Sequence, residues 1–244
     1  MSAEVLSIIY HDPKDPGSLG GFERLLRHAR QLHAPGTTQT KVDEYLRSKQ
    51  AYILQKPARS RFTRNHTYVA GINAQWQADL ADMQGIARQN GGMKYLLTVI
   101  DVFSTFAWAI PVHSKNAKAI TEAFEQVLIT AKPRQPRRLQ TDKGKKFFNS
   151  DFQALMKLHK IRHFASESDQ KAAVVERFSR TIMNRIWTYL SDRGTVRWVT
   201  VIQDLVNAYN NSRPRSIEMA TANVQKKDEH RLWVRLYGDG DPHL

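Results

Sequence analysis

The sequence predicts an α/β fold: a mixed five-stranded sheet flanked by helices, with a small helical region at its N-terminal side. Three observations lead there. Short apolar runs rich in β-branched and aromatic residues recur from about residue 75 to 166: "WQADLADM", "YLLTVIDVF", "TFAWAIPV", "RRLQT" and "IRHFAS". The first three follow one another through turns alone and pair as antiparallel neighbours. The fourth and fifth are each reached through a stretch of helical periodicity, which makes the sheet mixed and covers it with helices.

Residues 1–70 form the helical region and a basic linker. "DPKDPGSLGG" is turn-rich and reads as a loop. "FERLLRHARQLH" then places Phe22, Leu25, Leu26, Ala29 and Leu32 on one helical stripe, and "APGT" stops it. "TKVD", Thr40 to Asp43, reads as a capping box that opens a second short helix through Tyr45 and Leu46. Two short helices joined by a turn suit DNA binding, and equally suit plain packing. "QKPARSRFTRNH" carries Lys56, Arg59, Arg61 and Arg64 with no acid, an extended segment able to lie along phosphates.

Residues 71–222 hold the sheet and its helices. In "WQADLADM", Trp76, Ala78 and Leu80 alternate against Gln77, Asp79 and Ala81. After the third strand, "KNAKAITEAFEQVLITAK" is an amphipathic helix with Ala117, Ile120, Phe124, Val127 and Leu128 on one side. "NSDFQALMKLHK" is a helix with Asn149 or Ser150 as N-cap. "QKAAVVERFSRTIMNRIWTYL" is a long helix and "VTVIQDLVNAYNN" another. Residues 223–244 are expected to be a C-terminal extension.

Composition narrows the function classes. With 244 residues and 41% hydrophobic content, the chain can bury a real core. No apolar run approaches the roughly 20 residues of a membrane span, and the first residues lack the basic start of a secretory signal. The absence of cysteine removes disulfides and thiolate zinc sites, so no zinc is expected. A formal charge of +14 suits a polyanion, most often nucleic acid.

Three acids sit where such a sheet could gather them. Asp79 lies in the first strand, Asp142 just after the fourth, and Glu176 in the first turns of the long helix. Converging carboxylates repel unless a cation holds them. Oxygen ligands alone point to Mg²⁺ or Mn²⁺, and two such ions about 4 Å apart would clamp an in-line phosphoryl displacement. Among 23 acids other trios are available. Asp82 should face the opposite side of the strand from Asp79, and Asp101 sits at a strand turn, as a structural acid would. Lys143, Lys145 and Lys146 surround Asp142, and two readings stay open for them: phosphate contacts or a solvated face. Arg180, one turn beyond Glu176, should share its face.

The ordered stretches "WQADLADMQ", "KYLLTVIDVFSTFAWAIPV", "LQTDKGKKFFN" and "KAAVVERFSRTIMNRIW" resemble the catalytic core of DDE integrases. The resemblance is nearest to the integrases of Maverick/Polinton DNA transposons, relatives of the retroviral enzymes. It extends upstream through "YHDPKDPGSLGGFERL" and "AYILQKPARSRFTR" and downstream through "QDLVNAYNNSRPRSIEMA" and "RLWVRLYG". It implies an RNase H-like fold and a metal-dependent polynucleotidyl transferase acting on double-stranded DNA, both element ends and target. Carried over by position, Asp79, Asp142 and Glu176 are the catalytic metal-ligand triad, holding two Mg²⁺ or Mn²⁺ ions. The expected DNA-binding residues are Lys56, Arg59, Arg61, Arg64, Lys143, Lys145, Lys146, Lys171 and Arg180. The resemblance further implies a homo-oligomer in the nucleus that does not engage membranes. Ser179 departs from the pattern, standing where asparagine is usual, as do Gln55, Arg215 and Thr221 at their positions. The end at "GDGDPHL" leaves no length for a C-terminal β-barrel or chromodomain. Two other classes stay open: an RNase H-like nuclease, with Glu122 or Glu125 as a fourth carboxylate, and a catalytically silent DNA-binding descendant.

Overall fold

The computed structural model describes residues 2–34, 36–55, 67–165 and 172–238. The expected basic residues Lys56, Arg59, Arg61, Arg64 and Lys171 lie outside them. The chain divides into two compact units, one of Met1–Thr63 with Thr181–Ser212, the other of Arg64–Arg180 with Arg213–Leu244. These units follow packing rather than chain order: the long helix α7 (Ala173–Arg193) gives its first half to one and its second half to the other.

In the first unit, α1 (Ser2–His11), α2 (Phe22–Gln31) and α3 (Gln39–Arg47) bury Leu6, Ile9 and Tyr10, Leu25, Leu26 and Ala29, and Val42 and Leu46. Helix α2 buries Leu25, Leu26 and Ala29 of the stripe expected of it, while Phe22 is half-buried and Leu32, just past the helix end, is exposed. Helix α1 was not expected, although Leu6, Ile9 and Tyr10 show its three–four spacing. The capping box at Thr40 is corrected. Helix α3 begins two residues earlier, where the Thr38 side chain accepts from the Lys41 N–H, and Asp43 pairs with Arg47 one turn on. A hydroxyl competes for a cap only where the chain enters the helix extended, and that point is Thr38. A short α4 (Gln50–Gln55) follows, and α8 (Ile202–Asn211) completes the described helices of this unit. The Arg185 side chain of α7 is fully buried here and ties helices together through the backbone oxygens of Leu205 and Pro16.

The second unit is built on a sheet of order β3-β2-β1-β4-β5. Strands β1 (Gln75–Asp82), β2 (Tyr95–Asp101) and β3 (Ala107–Val112) pair antiparallel, and β4 (Arg138–Thr141) and β5 (Arg162–Ala165) join in parallel. Helix α5 (Ala117–Thr130) connects β3 to β4, and α6 (Ser150–Leu158) leads from β4 to β5. Asn149, one of the two expected caps, holds the start of α6 by accepting from the Phe152 N–H. Strand β2 is buried along its whole length, which explains its unbroken apolar run.

Alternation along β1 sorts its side chains. Trp76 and Ala78 enter one apolar core with Leu97, Val99, Phe124, Leu139 and Phe152. A second core gathers Val102, Phe103, Ile217 and Val224 with Leu232 and Trp233 of α9 (Glu229–Tyr237). The segment expected as an extension thus supplies apolar residues to this unit. Asp101 is the turn acid expected. Its carboxylate accepts from Asn73 N–H and from the N–H and hydroxyl of Ser104, welding the β2–β3 turn to the entry of β1.

Burial pushes the Asp101 carboxyl up to about 6. The folded protein therefore holds this proton more tightly than the unfolded chain does. The linked stability grows as pH falls from about 6 toward 4, by up to about 3 kcal/mol. Denaturant titrations of wild type and Asp101→Asn between pH 4.5 and 7.5 should show a gain at low pH in wild type that the variant lacks.

Candidate active site

Strand pairing brings the first two acids together. The parallel register sets Gln77 beside Gln140, so Asp79, two residues on, lies level with Asp142 just past the end of β4. Asp142 heads a tight turn that its own carboxylate organises by accepting from the Gly144 N–H at 3.1 Å. A Cβ at residue 144 would stand 3.0 Å from that same oxygen, so glycine permits the close approach. The Phe147 and Phe148 N–H groups then bond back to the Gly144 carbonyl, and Phe147 plugs the core beneath.

The lysines around Asp142 divide. Lys143 and Lys145 are exposed. Lys146 turns inward: its ammonium lies 3.0 Å from the Asp142 carboxylate and 4.0 Å from that of Asp79, and its side chain is only 20% exposed. It stands as a cation between two carboxylates that would otherwise repel. Phe148 stacks on His163, ring centroids 4.4 Å apart. Burial pushes the His163 imidazole down to about 4, so it is neutral at pH 7. Its Nδ1 then accepts from Gln153, and its Nε2–H donates to Thr141, whose hydroxyl donates to the Asp142 carbonyl. This chain of bonds braces the turn that carries Asp142.

Glu176 arrives on the first turn of α7, which is pinned to the sheet on both sides of it. The Val174 and Val175 N–H groups donate to the Gln77 side-chain oxygen at 3.0 Å each. Three residues beyond Glu176, the Ser179 hydroxyl meets that of Thr98 at 2.7 Å. Thr98 is the residue paired across from Asp79, and its hydroxyl also donates to the Asp79 carbonyl. Residues 176 and 179 lie one turn apart on α7, so the Ser179–Thr98 bond seats the helical turn that carries Glu176 over the strand position paired with Asp79. Arg180 is exposed one turn on. Among the described residues, no three His, Asp or Glu side chains close into a metal-holding group. The structure thus joins Asp79 and Asp142 through Lys146; Glu176 stands on the first turn of α7, a helix anchored to β1 and β2, and does not close a trio with them.

The other acids are disposed of locally. Asp82 accepts from the N–H and side chain of Gln84, and these bonds hold its carboxyl below the usual range. Glu122 and Glu125 are exposed on α5, with Glu122 beside Lys118. The site residues that sequence reasoning passed over are Gln77, Thr98 and Gln140. Their one signal was a polar side chain at a position the sheet buries, clearest for Thr98 in the apolar run of β2.

Residues 70–171 match the integrase core domain family, a stretch holding Asp79 and Asp142. A transposon-derived protein of Caenorhabditis elegans is 31% identical over 150 residues, covering 60% of this chain and 51% of that protein. The retrovirus-related Pol polyprotein from transposon 412 of Drosophila melanogaster is 27% identical over 212 residues, 86% of this chain and 17% of the polyprotein. The chain spans about half the length of the first relative and about a sixth of the second. The HTLV-2 integrase catalytic core domain, solved in complex with magnesium in a trimeric form, aligns with TM-score 0.52 and 20% identity over 62% of this chain and 95% of that one. Residues 70–171 thus resemble the integrase core domains of transposon-derived and retroviral proteins, and the mixed five-stranded sheet has the RNase H-like fold.

Proposed function

We propose that the protein is a DNA integrase of a transposon, of the Maverick/Polinton group, that carries out 3′-end processing and strand transfer. The observation that carries the reading is the cation, Lys146, held between Asp79 and Asp142 at the edge of an integrase core sheet. Paired hard oxygen donors without sulfur fit Mg²⁺ or Mn²⁺. Asp79, Asp142 and Glu176 would hold a pair of such ions. When bound, the ions supply Lewis-acid activation of the attacking oxygen and charge neutralisation at phosphorus.

In end processing, water attacks a phosphodiester near the element's end and the 3′-oxygen leaves as a free hydroxyl. In strand transfer that hydroxyl attacks a target phosphodiester, and the target's own 3′-oxygen departs. One P–O bond forms for each that breaks, so no energy source is required. The carboxylates hold and orient; none forms a bond to substrate. Lys143, Lys145 and Arg180 are exposed and would take backbone phosphates. Residues 1–70, including the basic linker, would position donor DNA. The enzyme would act as a homo-oligomer on nuclear DNA. No described helix is long and apolar enough to cross a membrane.

Asp79→Asn, Asp142→Asn and Glu176→Gln should each reduce strand transfer of labelled element ends into plasmid at least about a thousandfold in Mg²⁺ and Mn²⁺, with DNA binding retained, since the ligands work as a unit. Glu122→Gln, Glu125→Gln and Asp82→Asn should stay active. A dead Glu122→Gln or Glu125→Gln protein beside an active Glu176→Gln one would replace integration with ribonuclease-like chemistry.

The logarithm of DNA affinity should fall linearly with the logarithm of salt concentration. Replacing Lys143 and Lys145 by Ala should flatten that slope by up to about 2, one unit per lost phosphate contact. In EDTA, Lys146→Ala should leave the slope unchanged, because Asp79 and Asp142 already hold that ammonium. Fluorescence anisotropy on a short duplex reads both.

A further inference from the structure

Gln77 and Asp79 are two residues apart on β1, so they share a face of the sheet about 7 Å apart. Gln77 is fully buried, in a strand whose opposite face is apolar core. Both ends of its amide are used. The oxygen accepts the Val174 and Val175 N–H groups, two of the donors that a helix start leaves without partners. The nitrogen donates to the Gln140 oxygen at 2.8 Å. That oxygen also accepts from Gln75 at 2.8 Å, and the Gln75 oxygen accepts from Arg138 at 2.9 Å. Two backbone donors on one side and a carbonyl oxygen on the other admit only one orientation of the amide.

We propose that Gln77 is a positioning residue for Glu176: its buried amide caps α7 and sets where that helix delivers Glu176 against Asp79. The proposal rests on the reading of Glu176 as a metal ligand. Glu176 follows directly on the two capped residues, so a shift of the helix start moves its carboxylate by the same amount. The Ser179–Thr98 contact constrains the helix one turn on, and Gln77 fixes its near end. The chemistry demanded at residue 77 is narrow. An apolar side chain of equal length leaves two buried N–H donors bare. A carboxylate satisfies those donors but meets the Gln140 oxygen with a second acceptor. Asparagine is one methylene too short for this reach. Gln77 itself has no amide atom left for a metal or for DNA.

Full-length wild type, Gln77→Met, Gln77→Glu and Glu176→Gln should be compared by amide hydrogen exchange and by titration with Mn²⁺ alone, followed by water-proton relaxation. Gln77→Met should speed exchange at Val174 and Val175 about tenfold or more, leave β2 and α5 amides unchanged, and weaken Mn²⁺ binding about 10- to 100-fold, the range for residues that orient a ligand. Gln77→Glu should keep both amides protected and lose less Mn²⁺ affinity than Gln77→Met. Unchanged Mn²⁺ affinity in Gln77→Met, beside a wild type that binds, would overturn the positioning role and leave the metal site standing. A wild type blind to Mn²⁺ would overturn the metal reading and this proposal together. Should Gln77→Met fail to fold, Gln77→Glu decides: faster exchange at Val174 and Val175 in that variant would overturn the cap.

Discussion

Parallel pairing of β1 with β4 is the constraint from which the rest of the site follows. Parallel neighbours end at the same edge of a sheet, so side chains just past matched positions are delivered side by side. Here those side chains are both carboxylates, Asp79 and Asp142, and their proximity is unfavourable until a positive charge lies between them. The protein supplies that charge from Lys146, four residues beyond Asp142 on the turn that Gly144 makes possible. With carboxylates this open to water, the pairing contributes little to stability. Its consequence is local: it sets the charge of the sheet edge and withdraws one of three clustered lysines from solvent.

The same edge explains why α7 must be anchored as it is. A helix crossing a sheet can slide along it unless polar groups fix its register. In this chain the polar groups are buried, so the register is enforced by the cost of leaving a donor or acceptor bare, about 1–3 kcal/mol each. Gln77 and Thr98 provide the sheet side of the anchors, while Val174, Val175 and Ser179 provide the helix side. The Ser179 hydroxyl is short enough to meet the Thr98 hydroxyl directly. The acids that could compete with the trio are removed by ordinary means. Asp101 is consumed by a turn and Asp82 by Gln84, and the α5 glutamates face solvent.

Much of this was legible along the chain. Period-two runs marked the strands, period-three-and-four runs marked most helices, and the order of the two gave a mixed sheet with β1 beside β4. Asp79, Asp142 and Glu176 could be singled out because each fell at a strand or helix position from which a sheet edge is reachable. Local polar signals were less dependable. Threonines at 38 and 40 offer the same capping chemistry, and only the entry angle of the backbone chose Thr38. Helix α1 went unread because an apolar run near the start was weighed as a possible targeting segment rather than as a core stripe.

By itself the sequence determined the strands, most of the helices and the candidate acids, because these rest on short-range periodicity and on residue type. It also determined the excess of positive charge. Tertiary structure alone decided what each polar group faces. Lys146 was one of three equivalent lysines until folding set it between two carboxylates. Gln77 was one polar residue on the alternating face of β1 until α7 laid two N–H groups upon it. Apart from Asp142, four residues from Lys146, these partners lie 63 to 98 residues apart, and no local pattern encodes a contact between groups so far separated along the chain.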